Sequence, residues 1–275
     1  MRSVITFFRQ IIWILLLVPG SGYAQLPEFP YKLSKRDFVL APVSIAVYLT
    51  AEPLSARDHN LSVNEISALD RGQINRFDRN ATYHWNRTAD QFSNVVNNTM
   101  HYAPLILIIP QLKSKKLNNA ISLAVMYGEV FLLTKGVTGI TKSLVGRTRP
   151  YLYNTNFTPE ERYHFQGNEA PTASTSFFSG HSSSSFAFAV LLSKTFTDIY
   201  GQGTWSKIIW MTSLSLASAT AICRVAAGEH FPTDVITGAM VGSAIGYVIP
   251  ELHKINSEKL SLSVLPGYFS ITYRL

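Results

Sequence analysis

One cysteine, Cys223, stands among 275 residues, so no intramolecular disulfide can form. Charge is sparse: Asp, Glu, Lys and Arg together make up 15% of the chain. Acids are the scarcer sign, 17 against 24 basic residues, which leaves a formal charge of +7. No lysine-rich tail and no nucleic-acid-binding module accompanies that surplus, so we expect no nucleic-acid partner; an anionic membrane surface or an anionic substrate remains. Long runs of alternating apolar and polar residues are missing from the middle of the chain, which argues against a β core. Full-length apolar spans are also short. Ile208–Cys223 and Val235–Pro250 are 16 uncharged residues each, where a membrane span prefers roughly 20.

What is present begins with a targeting pattern. Met1–Ala24 carries Arg2 and Arg9, an apolar stretch from Ile11 to Val18, a break at Pro19-Gly20, and small residues at Gly22 and Ala24. That order describes a signal peptide cleaved before Gln25; an uncleaved anchor helix is the alternative, and both imply export. Residues 25–100 are polar, with helical periodicity around Val63–Phe77 and Trp85–Val96, and carry sequons at Asn60, Asn80, Asn86 and Asn97. Phe38–Thr50 is apolar but interrupted by Pro42. Apolar segments follow at Tyr102–Leu112, Ala120–Ile140, Ser184–Phe196, Ile208–Cys223 and Val235–Pro250. They predict an all-α fold, a helical bundle of five to six core helices over 101–250. In the tail, 251–275, alternation on both sides of Pro266-Gly267 predicts a short β-hairpin.

Polar residues gather at the ends of these apolar segments. Lys142–Pro150 reads KSLVGRTRP, three cations in eight residues. Ser179–Ser185 reads SGHSSSS and opens an apolar helix, so backbone N–H groups and the helix dipole make an anion site with His181 at its rim. Ala221–Val241 holds Arg224, His230 and Asp234, with Pro232 at a helix start. A carboxylate four residues from an imidazole can accept one ring proton and leave the other nitrogen free to attack. A helix-capping cluster is the competing reading.

Together these blocks resemble the type 2 phosphatidic acid phosphatase (PAP2) and vanadium haloperoxidase superfamily. Its pattern is Lys, six residues, Arg-Pro; then Pro-Ser-Gly-His; then Ser-Arg, five residues, His, three residues, Asp. Lys142, Arg149 and Pro150 match the first block, Ser179, Gly180 and His181 the second, and Arg224, His230 and Asp234 the third. Phe178 and Cys223 replace the usual proline and serine. The resemblance implies a metal-independent phosphatase with no cofactor and no catalytic metal. His230 would be the nucleophile, Asp234 would hold its tautomer, and His181 would be the general acid. Lys142, Arg149 and Arg224 would grip the phosphoryl oxygens with Ser179 and Gly180. Three fixed cations then supply the charge a metal supplies elsewhere.

Four functions fit these residues: a lipid phosphatase or pyrophosphatase, a soluble exported acid phosphatase, a haloperoxidase in which His230 binds vanadate, and a non-enzymatic phosphate or lipid binder. We expect the first, membrane-embedded, with a phosphorylated lipid as partner. Lys113, Lys115 and Lys116 in one loop, and Lys194 and Lys207 flanking another, lie opposite the motif ends. The positive-inside rule then puts the site on the periplasmic face of an inner membrane. Glu129 and Lys135, inside an apolar segment, read as a structural pair or interior polar contacts. Tyr151–Phe177 is long enough to cover the site and select the leaving group. Oligomeric state is left open.

Overall fold

A computed structural model of the protein describes residues 28–55, 61–164, 173–255, 260–265 and 268–273. The expected signal segment, Asn60, residues 165–172 of the long loop and the Pro266-Gly267 turn lie outside the described residues. Among the described residues six long helices make the bundle: α1 Asp37–Ser55, α2 Arg87–Tyr102, α3 Leu117–Val145, α4 Gly180–Tyr200, α5 Thr204–Ala226 and α6 Pro232–His253.

Helix α4 is the axis. It is buried from Ser182 to Ser185 and from Ala187 to Thr197, as a helix without a wide polar face must be. α6, α5, α2 and α3 pack around it, and α1 lies on α3. Phe188, Leu191, Leu192 and Phe196 of α4 meet Leu123, Met126 and Val130 of α3 and Ile249 of α6 in the main core.

The serines of α4 are there because α6 comes very close. α6 presents Gly238, Gly242 and Gly246 at four-residue spacing, one stripe on one face. A Cβ on Gly242 would stand 2.0 Å from the Ser183 carbonyl oxygen, and one on Gly246 would stand 2.2 Å from that of Ala187. Small residues let the two backbones touch, and Ser182 Oγ donates to the Val235 carbonyl at 2.7 Å across the contact. This pairing brings the first turns of α4 and α6 side by side, with the Ser179 N–H bonded to the Asp234 carbonyl at 3.1 Å.

Away from that seam the outer helices carry apolar side chains on their open faces: Met211 and Ile222 on α5, Ile236 and Met240 on α6, Phe38 and Leu49 on α1. Three helical stretches, Leu117–Tyr153, Thr204–Ala226 and Pro232–His253, are long and apolar enough to cross a membrane. The last two outrun their uncharged 16-residue cores, because flanking polar residues, Arg224 in α5 and Asp234 in α6 among them, continue the helix.

Several expectations change. The Tyr102–Leu112 segment splits into a 3-10 turn, Ala103–Leu107, and a six-residue helix, Ile108–Lys113, since Pro104 interrupts the ladder. The Val63–Phe77 pattern yields a helix only over Val63–Ser67, after which the Asp70 carboxylate captures the Gly72 N–H at 2.7 Å and starts a 3-10 turn. Lys194, which with Lys207 flanks the 201–203 turn, is buried in α4 and bonded to Asp198 at 2.7 Å. Glu129 does not meet Lys135. Six positions along a helix turn the side chain to another face, and Glu129 faces His253 instead. Asn86 caps α2, and Asn97 is buried beneath Ser185. Strands β1 Leu260–Leu265 and β2 Tyr268–Tyr273 pair antiparallel, with Leu260 opposite Tyr273.

The glycine stripe gives a stability contrast. Gly242→Ala drives a methyl into backbone and should cost about 1–3 kcal/mol. Gly128→Ala, where nothing lies within 4 Å of the new methyl, should be neutral or better. Thermal melting of the two variants in detergent reads the difference.

Candidate active site

The three motif segments fold onto one another through their backbones. Gly146 ends α3 in the left-handed conformation, φ 59°, and its N–H caps the Lys142 carbonyl, which only glycine does without strain. The chain then reverses. The Arg149 N–H bonds the Ala173 carbonyl and the Ser176 N–H bonds the Arg147 carbonyl, both at 2.9 Å. The end of the 151–177 loop is thereby tied to the Arg-Thr-Arg segment. Gly228, φ 78°, packs so tightly against the His84 carbonyl that a Cβ would stand 2.4 Å from it, and the Gly228 carbonyl accepts the Tyr151 N–H at 2.9 Å. The turn carrying His230 is clamped from both sides.

These contacts enclose a cavity of about 360 Å³, lined by Arg87, Asp90, Asn94, Lys142, Arg149, His181, Arg224, Glu229 and His230. Formally, the four cations and two acids leave an excess of two positive charges. A phosphate monoester dianion carries the opposite two.

His230 is 1% exposed, and its Nδ1 lies 2.8 Å from the Ser176 carbonyl. A carbonyl only accepts, so Nδ1 carries the proton and the lone pair is on Nε2. Asp234 stands 3.7 Å from the same Nδ1, too far for a hydrogen bond. The tautomer contact expected of Asp234 is thus made by a backbone oxygen. Asp234 acts one step further back, accepting from Ser176 Oγ at 2.5 Å, Arg147 Nη1 at 2.5 Å and the Phe231 N–H at 2.9 Å. It holds the residue that holds the histidine.

His181 Nε2 lies 2.7 Å from Asn94 Oδ1. Arg149 and Arg224 both grip the buried Glu229 carboxylate, Arg224 Nη2 at 3.1 Å, and Arg224 Nη1 also bonds Asp90. Burial, then the charges of Arg149, Lys142 and Arg224, hold His230 well below the ordinary histidine range. Burial, then Arg224, His230 and Lys142, do the same to His181.

Lys142, Arg149, His181, Arg224 and His230 therefore meet in one cavity, with Asp234 behind them. Ser179 and Gly180 border it without lining it. The Ser179 Oγ accepts the Ser182 N–H at 3.3 Å as the α4 cap, and its own N–H is taken by Asp234. Gly180 lies so near Lys142 that a Cβ there would stand 4.0 Å from Nζ. Phe178 is buried, joined to Phe177 by a cis peptide, and Cys223 is half-buried outside the cavity.

Sequence reasoning missed the acids and the α2 residues. Asp90 and Asn94, one helical turn apart, carried a face signal but no motif. Glu229 adjoins His230, and nothing in its spacing marked it. Asp78 lies in the polar 25–100 region with no motif to mark it, yet it is fully buried. It accepts from Arg147 Nη2 at 2.8 Å, Thr233 Oγ1 at 2.7 Å and Asn75 Nδ2 at 2.8 Å.

A family profile described as the PAP2 superfamily matches residues 123–258, and this part of the chain belongs to that superfamily. Among solved structures the chain is similar to a transmembrane PAP2 type phosphatidylglycerolphosphate phosphatase from Bacillus subtilis. Identity is 18%, 75% of this chain and 93% of that chain are covered, and the TM-score is 0.46.

Against the opposing effect of burial, hydrogen bonds from Arg147, Asn75 and Thr233 hold the Asp78 carboxyl below the usual aspartate range. Its contribution to stability is present above that range and lost as pH falls through the lowered value. Asp78→Ala leaves Arg147 short of one partner and should cost roughly 3 kcal/mol at neutral pH. Denaturation of both proteins across acid pH should show the gap closing as the medium acidifies.

Proposed function

We propose that the protein is a phosphatase acting on a phosphorylated lipid, through a phosphohistidine on His230 and without a catalytic metal. One observation carries this reading: a buried imidazole with its lone pair on Nε2 borders a cavity with two excess positive charges. Membership of residues 123–258 in the PAP2 superfamily supports phosphatase chemistry. The apolar open faces and three membrane-capable helices support a lipid substrate and a membrane setting.

In the proposed reaction Lys142, Arg149 and Arg224 bind the phosphoryl oxygens, Arg149 and Arg224 turning from Glu229 toward the substrate. His230 Nε2 attacks phosphorus, the bond to the leaving oxygen breaks, and His181 gives that oxygen a proton. A water then attacks phosphorus, giving its proton back to His181, and the P–N bond breaks to release inorganic phosphate. Asp234 is a positioning residue, acting through Ser176. With export through the amino-terminal segment, the site faces the periplasm.

Purified protein in detergent should release phosphate from at least one lipid phosphate, equally with and without EDTA. His230→Ala should reduce the rate by roughly a thousandfold or more. Release only from small soluble esters would favour a soluble-substrate phosphatase. Activity appearing only with vanadate, peroxide and halide would overturn the reading.

The histidines also set a pH signature. A depressed His230 keeps Nε2 unprotonated well into acid, so the acid limb of kcat/KM should lie well below pH 6.5. His181 must be protonated to act, and a bound dianion opposes the cations that depress it. The alkaline limb of kcat should therefore lie at higher pH than that of kcat/KM.

A further inference from the structure

At the other end of α6 from His230, three acceptors converge on one point. His253 Nε2 is 2.5 Å from Asp37 Oδ1 and 3.5 Å from Glu129 Oε2. The donor atoms of all three residues lie within 4.8 Å of one another. His253 Nδ1 is 2.9 Å from the Ile249 carbonyl and must carry the ring proton. Nε2 then presents a lone pair to two carboxylates. Glu129 is 2% exposed, and neither of its carboxyl oxygens, nor His253 Nε2, has a hydrogen-bond partner. A buried carboxylate in this state is costly unless a cation meets it.

We propose that Asp37, Glu129 and His253 bind one divalent cation, of the kind that takes mixed nitrogen and oxygen ligands, with zinc as the reference case. Two carboxylates and a neutral imidazole balance its charge. Tetrahedral zinc with bonds of about 2.0–2.1 Å sets its ligands about 3.3 Å apart, so the His253–Asp37 pair opens by under an ångström. The supports found around bound metals are in place: the histidine donates its other nitrogen to a backbone carbonyl, and Asp37 accepts the Ser34 N–H. The three ligands come from α1, α3 and α6, so the ion fastens the amino-terminal helix to the bundle. Its role is structural. The 22 residues of α6 put it roughly 30 Å from the phosphate cavity.

The test uses tag-free full-length protein in detergent, stripped with chelator and then titrated with Zn²⁺ or Co²⁺. One equivalent of zinc should bind and raise Tm by several degrees, and cobalt should give the visible absorption of a four- or five-coordinate site. Glu129→Gln and His253→Gln should lose both responses while keeping phosphate release at low temperature. Should His253→Gln not fold, the wild-type titration and Glu129→Gln decide the matter. No zinc response in the wild type would overturn the proposal, leaving a proton-sharing trio. So would zinc binding retained in Glu129→Gln, which would place the metal elsewhere.

Discussion

The cavity end of this bundle hangs on one carboxylate. Asp234 has no contact with solvent and sits on the first turn of α6, where the dipole favours negative charge. Stripping a carboxylate of water costs several kcal/mol unless hydrogen bonds replace the hydration. Here the replacements come from separate parts of the chain: Arg147 beyond α3, Ser176 before α4, and the Phe231 N–H of its own turn. The need to satisfy one buried charge therefore pulls three segments to a common point. His230 inherits its orientation from that arrangement through Ser176, and Asp78 anchors the far side of Arg147.

The cavity in front of Asp234 follows a second electrostatic rule. Like charges crowded in a dry space repel, and Lys142, Arg149 and Arg224 crowd closely. Glu229, 1% exposed, lies between the two arginines and offsets that repulsion while nothing else is bound. Asp90 takes the other edge of Arg224. The two acids keep the guanidinium forks at the cavity, so that a turn of the side chain suffices to present them to an anion.

Helix packing carries these charges to their positions. The Gly238, Gly242 and Gly246 stripe lets α6 lie directly on the α4 backbone, and the serines of α4 fill the seam with short polar contacts. Wider side chains there would separate Ser179 from Asp234 and open the cavity floor. Meanwhile the faces turned outward stay apolar on α1, α5 and α6, as suits helices whose outer surroundings are lipid.

Much of this was legible in the residue order. Lys142, Arg149, His181, Arg224 and His230 sat at ends of apolar segments, and ends of neighbouring helices in a bundle share a face, so their meeting required only helical periodicity. Helix α4 was legible as a helix because Ser179-Gly180 opens an uninterrupted apolar run. Other features had no local signal. Asp78, Asp90, Asn94 and Glu229 became site residues only because α2 and the 71–83 turns fold over the cavity, and a polar residue's pattern is the same on a surface as over a site. The partner of His230 Nδ1 is a backbone carbonyl, an atom every residue has, so no spacing of side chains could name Ser176. Asp37, Glu129 and His253 are 92 and 124 positions apart in the chain. Sequence by itself determined where charge lies and where the long apolar helices of the bundle run, because those depend on composition and on neighbours within a few positions. Only the tertiary structure decided which charges meet, because burial and hydrogen-bond partnership are set by helices remote in sequence.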